Sequence, residues 1–214
     1  MKMITIYTGK PKTGKTYTAI TTSKNPLVID MYRDNSYYSL NCYKVELNPL
    51  ENFTTLTALD NIVEQLRLMA LGLMVTDSIK DQKYETIIFD GFELLFKSIY
   101  NFYNSTTFKI SYFGLSENED NKDNKEFFDF AVNTLFRLKW IKIISALLSY
   151  NIDLTFIIGS EDFYTSEYGS CWNSILKYFQ IKDITFINKH CTFDEEGNRL
   201  INQIIIKQDD EVKT

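Results

Sequence analysis

One histidine, four arginines and three cysteines are all that this chain of 214 residues carries of three side chains widely used in catalysis, anion clamping and cross-linking. The lone His190 leaves a Ser–His–Asp arrangement just one base, and "NKHCTF" around it resembles neither a nucleophile elbow nor a metal cluster. Cys42, Cys171 and Cys191 are odd in number, scattered and free of C-x-x-C spacing. That excludes a disulfide framework and a zinc site of the usual spacing, and it predicts a reducing, intracellular setting. Positive charge is also scarce. At a net −5 the surface as a whole does not attract nucleic acid, so any such binding needs a local basic groove. No apolar run reaches transmembrane length; the longest, Trp140 to Tyr150, is interrupted by Lys142, Ser145 and Ser149. The first residues read as a strand and not as a signal peptide, so the expectation is a soluble, cytoplasmic protein without a membrane partner.

What the chain does have is an ordinary globular balance, 44% hydrophobic and 24% charged, with a high aromatic content from 16 Phe and 14 Tyr. The length suits one α/β domain over residues 1–214. "MKMITIYT", "NPLVID", "YETIIFD" and "DLTFIIGS" read as short buried strands. Between them, Leu59, Ile62, Val63, Leu66, Met69, Ala70 and Leu73 recur at helical spacing. So do Phe128, Ala131, Leu135, Leu138, Ile141, Ile144 and Leu148. The most polar stretch, "SENEDNKDNKE" over 116–126, reads as a flexible exposed loop. The end of the chain reads as two strands joined by a turn near Glu196, Gly197 and Asn198. Alternating strands and helices predict a three-layer α/β fold whose mostly parallel sheet is closed by an antiparallel C-terminal hairpin.

Between the first strand and the first helix lies "GKPKTGKT", which fits G-x-x-x-x-G-K-[ST] without a gap. A chance match in a chain of this size is on the order of one in a hundred at ordinary glycine usage. Strand, glycine loop and helix are the arrangement this chemistry requires, because backbone N–H groups of the loop and helix start then converge on one anion. Gly9, Lys10, Pro11, Lys12, Thr13, Gly14, Lys15, Thr16 and Tyr17 are the candidate nucleotide-binding residues. Lys15 reaches the β- and γ-phosphates of ATP, and the Thr16 hydroxyl takes a Mg²⁺ position. "TIIFD" supplies the partner carboxylate, Asp90, at a strand end. For hydrolysis, a group must orient the attacking water. Gly91 occupies the position after Asp90 where many such ATPases carry a glutamate, so Glu93 and Asp34 are candidates, with Ser160 and Glu161 as γ-phosphate sensors.

With these elements in order, the chain resembles the small RecA-like P-loop nucleotide-binding proteins encoded by bacteriophages, some of which act in single-strand annealing and recombination. The resemblance runs through "YTGKPKTGKT", "PLVID", "ETIIFDGF" and "DLTFIIGSE" to "ILKYFQIKDITFINKH" and "EGNRLINQIIIK". It implies that Lys15, Thr16 and Asp90 hold nucleotide and Mg²⁺. RecA-like proteins often bear a catalytic glutamate two residues past an "ID" strand end, where this chain has Tyr32. The resemblance further implies a homo-oligomer with nucleotide between subunits and a basic residue supplied in trans, Arg199 first and Lys189 second. It places single-stranded DNA contacts in Tyr100 to Phe113 and Ser160 to Trp172, whose aromatics alternate with polar residues as stacking platforms do.

The reading that follows is a Mg-dependent ATPase, RecA-like, acting in phage DNA recombination or replication with phage proteins as partners, in the host cytoplasm. Three alternatives stand beside it. One is a nucleotide-gated interaction protein without turnover, and another a viral DNA-packaging ATPase. The third, a small-molecule P-loop kinase, is disfavoured because Arg33, Arg67, Arg137 and Arg199 do not cluster into a phosphate-clamping lid.

Overall fold

The computed structural model describes residues 3–32, 40–48, 50–73, 83–113, 122–160, 162–179, 184–193 and 199–207. Its seven strands are β1 (Ile4–Thr8), β2 (Pro26–Asp30), β3 (Tyr43–Glu46), β4 (Thr86–Asp90), β5 (Asp153–Ile157), β6 (Ile184–Phe193) and β7 (Arg199–Lys207). They form one sheet in the order β3-β2-β4-β5-β1-β6-β7. Every pairing is parallel except β6 with β7. This is the expected mostly parallel α/β sheet with an antiparallel closing pair. β5 lies between the strand that feeds the glycine loop and the strand that ends in Asp90.

The helices are α1 (Lys15–Thr22), α2 (Asn52–Ala70), α3 (Phe92–Asn104), α4 (Thr106–Phe113), α5 (Lys122–Ser149), α6 (Asp162–Thr165) and α7 (Glu167–Leu176). Strand side chains alternate between faces, and the central strands are apolar on both. Ile4, Ile6, Leu27, Ile29, Ile87, Phe89, Leu154 and Phe156 face the large layer formed by α2, α3, α5 and α7. Tyr7, Val28, Ile88 and Ile157 face the other way, onto Ala19 and Ile20 of α1. Three layers result.

Aromatic side chains fill the large layer. Phe89 stacks on Phe156 with centroids 5.0 Å apart, and Phe92 meets Trp172 at 4.6 Å and Phe156 at 4.8 Å. The stacked Phe89–Phe156 and edge-to-face Phe92–Phe156 pairs have favoured ring geometries, and Phe92–Trp172 is tilted. They explain where much of the unusual aromatic content goes. Phe163 and Trp172, expected on a single-strand platform, are buried in this cluster instead. Their segment folds into α6 and α7, and Tyr100 to Phe113 is likewise helical, ending α3 and forming α4.

α5 buries Val132, Phe136, Trp140, Ile143, Ile144 and Leu147, whereas Leu138, expected on the buried face, is 55% exposed. Apolar residues surround this helix, so periodicity alone selects no face; packing against α2, α3 and α7 does. The expected loop at 116–126 lies partly outside the described residues, and α5 already begins at Lys122. The turn near Glu196, Gly197 and Asn198 lies wholly outside them. Among the described residues no helix is long and apolar enough to cross a membrane.

Candidate functional site

β1 ends at Thr8, and the chain must turn sharply beneath β6 before α1 can start. Gly9 makes that turn with φ 118°, and a Cβ there would overlap the Lys189 carbonyl oxygen. Only glycine fits. Thr13 is buried and donates from Oγ1 to the Lys10 carbonyl at 3.0 Å, bracing the loop from inside. The Lys15 ammonium folds back along the loop and donates to the carbonyls of Gly9 and Lys10, both at 2.7 Å. Burial lowers the Lys15 pKa, while the carboxylates of Glu93 and Asp90 oppose that shift.

Across the sheet, Asp90 ends β4 and is almost fully buried. Thr16 Oγ1 lies 3.1 and 3.2 Å from its two carboxylate oxygens and donates to the carboxylate. Residues 74 apart in sequence thus meet beyond the C-terminal ends of parallel strands, where ligands of open α/β sheets sit. A cavity of about 460 Å³ opens there, lined by Pro11, Lys12, Lys15, Thr16, Tyr32, Asp90, Ile157 and Gly159. Lys12 and Lys15 bring positive charge to it, and Asp90 a carboxylate.

Asp30 and Asp90 are opposite one another on β2 and β4. Both are buried, but they are engaged differently. Asp30 accepts from the Tyr32 backbone N–H at 2.8 Å and pairs with Lys44 at 3.4 Å, so it braces the turn after β2. Burial lowers the Lys44 pKa, but hydrogen bonds and charge from Glu46 and Asp30 raise it on balance.

Glu93 lies three residues beyond Asp90 on α3 and is only 4% exposed. Its Oε1 accepts from the Tyr32 hydroxyl at 2.6 Å and from the Gly159 N–H at 3.0 Å. Although it is a charged residue in the first turn of a helix, Glu93 is no surface charge: Gly91 turns the chain at φ 72° ahead of α3, and Glu93 lies on the buried side. Tyr32, standing where RecA-like proteins often place a glutamate, is tied to a glutamate from the neighbouring element.

Other candidates are placed differently. Pro11 and Lys12 are exposed at the cavity rim, while Lys10 and Tyr17 are exposed and not among the lining residues. Ser160 is half-buried, and its carbonyl accepts from Phe163; its neighbour Gly159, missed in the sequence, is the residue that lines the cavity. Glu161 and Asp34 lie outside the described residues. Arg199 opens β7 opposite Phe193, at the turn end of the hairpin, and its side chain lies outside the described residues. Lys189 is buried and donates to Thr18 Oγ1 of its own chain, and burial lowers its pKa. Its side chain is not free to serve a neighbour.

No protein-family model and no curated protein matches this chain. Among solved structures it is similar to the P4 protein from bacteriophage phi6 in complex with ADP, with 11% identity and a TM-score of 0.35. That match covers 94% of this chain and 57% of the other, so the chain spans little more than half the length of that protein.

Proposed function

We propose that the chain is an ATP-binding, Mg-dependent ATPase whose single domain carries one nucleotide site at the Gly9–Tyr17 loop. The observation that carries this reading is the Thr16–Asp90 hydrogen bond beside Lys15, which unites the two halves of a phosphate-and-metal site from distant segments. The donor set fits Mg²⁺. A hydroxyl and one carboxylate are hard oxygen ligands, and Mg²⁺ commonly uses one or two carboxylates plus substrate phosphates. When bound, the ion neutralises charge on the β- and γ-phosphates.

The chain's own residues do the rest. Lys15 exchanges its loop carbonyls for phosphate oxygens, and loop N–H groups complete the cradle. Hydrolysis forms a bond from a water oxygen to the γ-phosphorus, breaks the bond to the β-phosphate oxygen and releases a proton from the water. Glu93 is the residue proposed to orient that water and take the proton, because both of its hydrogen-bond partners line the cavity. The resemblance extends the proposal to a RecA-like role in phage DNA recombination or replication, with single-stranded DNA as a partner. It also extends it to a homo-oligomer in which Arg199 reaches a neighbour's site. Light scattering that finds only monomers with nucleotide bound removes this last part.

Phosphate release from ATP, followed with Mg²⁺, with chelator and with single-stranded DNA, tests the function. Expected are turnover with Mg²⁺, loss of at least tenfold with chelator, and stimulation by the DNA. ATP binding without turnover in any arm refutes the ATPase reading and favours a nucleotide-gated interaction protein. Turnover indifferent to DNA removes the recombination setting.

A further inference from the structure

Among the described residues, Glu93 has no hydrogen-bond partner on Oε2, although that oxygen is buried. A buried carboxylate oxygen without a partner is costly, and native structures retain one where a function or an unseen ligand requires it. Its other oxygen is held twice, by Tyr32 and by Gly159. Three separate segments are shaped around this arrangement. A Cβ on Gly91 would come within 2.9 Å of the Tyr32 ring, and one on Gly159 within 3.1 Å of Glu93 Oε1 and 3.2 Å of the Tyr32 hydroxyl. Either would push into the pair. Tyr32 is itself fixed at its backbone by Asp30, yet its side chain lines the cavity and the residue is half-exposed. Burial first, and then the Glu93 carboxylate, raise its pKa far above the usual tyrosine range, so the phenol stays protonated and donates.

We propose that Tyr32 is a positioning residue: its hydroxyl holds Glu93 by Oε1 and leaves Oε2 to orient the attacking water. The catalytic contact belongs to Glu93; Tyr32 acts through it. This rests on the ATPase reading above. The geometry accounts for a pairing that sequence spacing hides, since the two residues are 61 positions apart. It also gives Gly91 and Gly159 a shared purpose, the room that the pair occupies.

The test is Tyr32→Phe, alone and combined with Glu93→Gln. The substitution keeps the ring and removes one hydroxyl of a half-exposed residue, so folding survives. Expected for Tyr32→Phe is a kcat about tenfold lower with KM within about twofold, as loss of a charge-assisted hydrogen bond predicts. In the Glu93→Gln background the same change has little further effect, because the carboxylate through which Tyr32 acts is gone. A second readout needs no nucleotide: the Gly159 amide exchanges with deuterium faster in Tyr32→Phe, because its acceptor has lost its other anchor. Wild-type kcat in Tyr32→Phe, or an undiminished loss in the double variant, overturns the inference and leaves the ATPase reading standing. If the wild-type chain binds ATP without turnover, the ATPase reading falls with the water-orienting role. The exchange measurement then decides whether Tyr32 holds Glu93, and unchanged exchange overturns that as well.

Discussion

Glu93→Gln is expected to slow ATP turnover by about 10²–10⁴-fold, the usual contribution of a positioned general base, while ATP affinity stays within about threefold. The substitution is close to isosteric. A glutamine Oε1 can accept from the Tyr32 hydroxyl and the Gly159 N–H as the carboxylate does, so the local frame survives. What disappears is the negative charge and the basicity of Oε2. In the proposed site, affinity is assigned to other groups, the loop amides, Lys15 and Thr16, which the substitution does not touch. Single-turnover phosphate release separates the chemical step from product release and is the measurement of choice. A variant that turns over at the wild-type rate removes Glu93 from the mechanism. Loss of affinity in step with the rate would instead assign it to binding.

Phe92→Ala is expected to lower the unfolding free energy by about 3–5 kcal/mol, the range for truncating a fully buried aromatic residue. The ring is completely buried, and six others surround it. Phe89, Phe96, Trp140, Phe156, Phe163 and Trp172 all have centroids 4.6–6.4 Å from its own. They belong to β4, β5, α3, α5, α6 and α7, so no single shift closes the hole. Against a typical total of about 5–15 kcal/mol, that loss leaves the fold marginal. Urea titration reads it as a lower midpoint at unchanged slope. A loss below about 1 kcal/mol contradicts the packing described. Because Phe92 and Glu93 are consecutive on α3, the same helix start anchors the core and delivers the carboxylate.

The glycine loop, its helix and the Asp90 strand were legible in the sequence because each is a local pattern. The four short central parallel strands β1, β2, β4 and β5 were equally plain, since burial on both faces makes them continuous apolar runs. β3, "YKVE", was not. It is a half-buried edge strand with two charges in four residues, and only pairing with β2 makes it a strand. The aromatic stretch Ser160 to Trp172 misled for a related reason. Rings interleaved with polar residues suit a stacking platform or an amphipathic helix, and the burial of Phe163 and Trp172 is set by what packs on them. Spacing rules could not join Tyr32 to Glu93, because strands that are neighbours in the sheet carry their ends together whatever the chain length between them.

Isothermal titration of ATP with Mg²⁺ into the wild-type chain and into Lys15→Ala tests the central claim most directly. Lys15 donates to two loop carbonyls and stands at the cavity with Thr16 and Asp90, so the proposed site expects nucleotide phosphates to meet this ammonium. Its loss removes a charge-assisted contact of about 1.5–3 kcal/mol, and ATP affinity falls roughly tenfold to hundredfold while the thermal transition persists. Equal affinity in the two proteins, or no binding to the wild-type chain at all, contradicts a phosphate site at this loop.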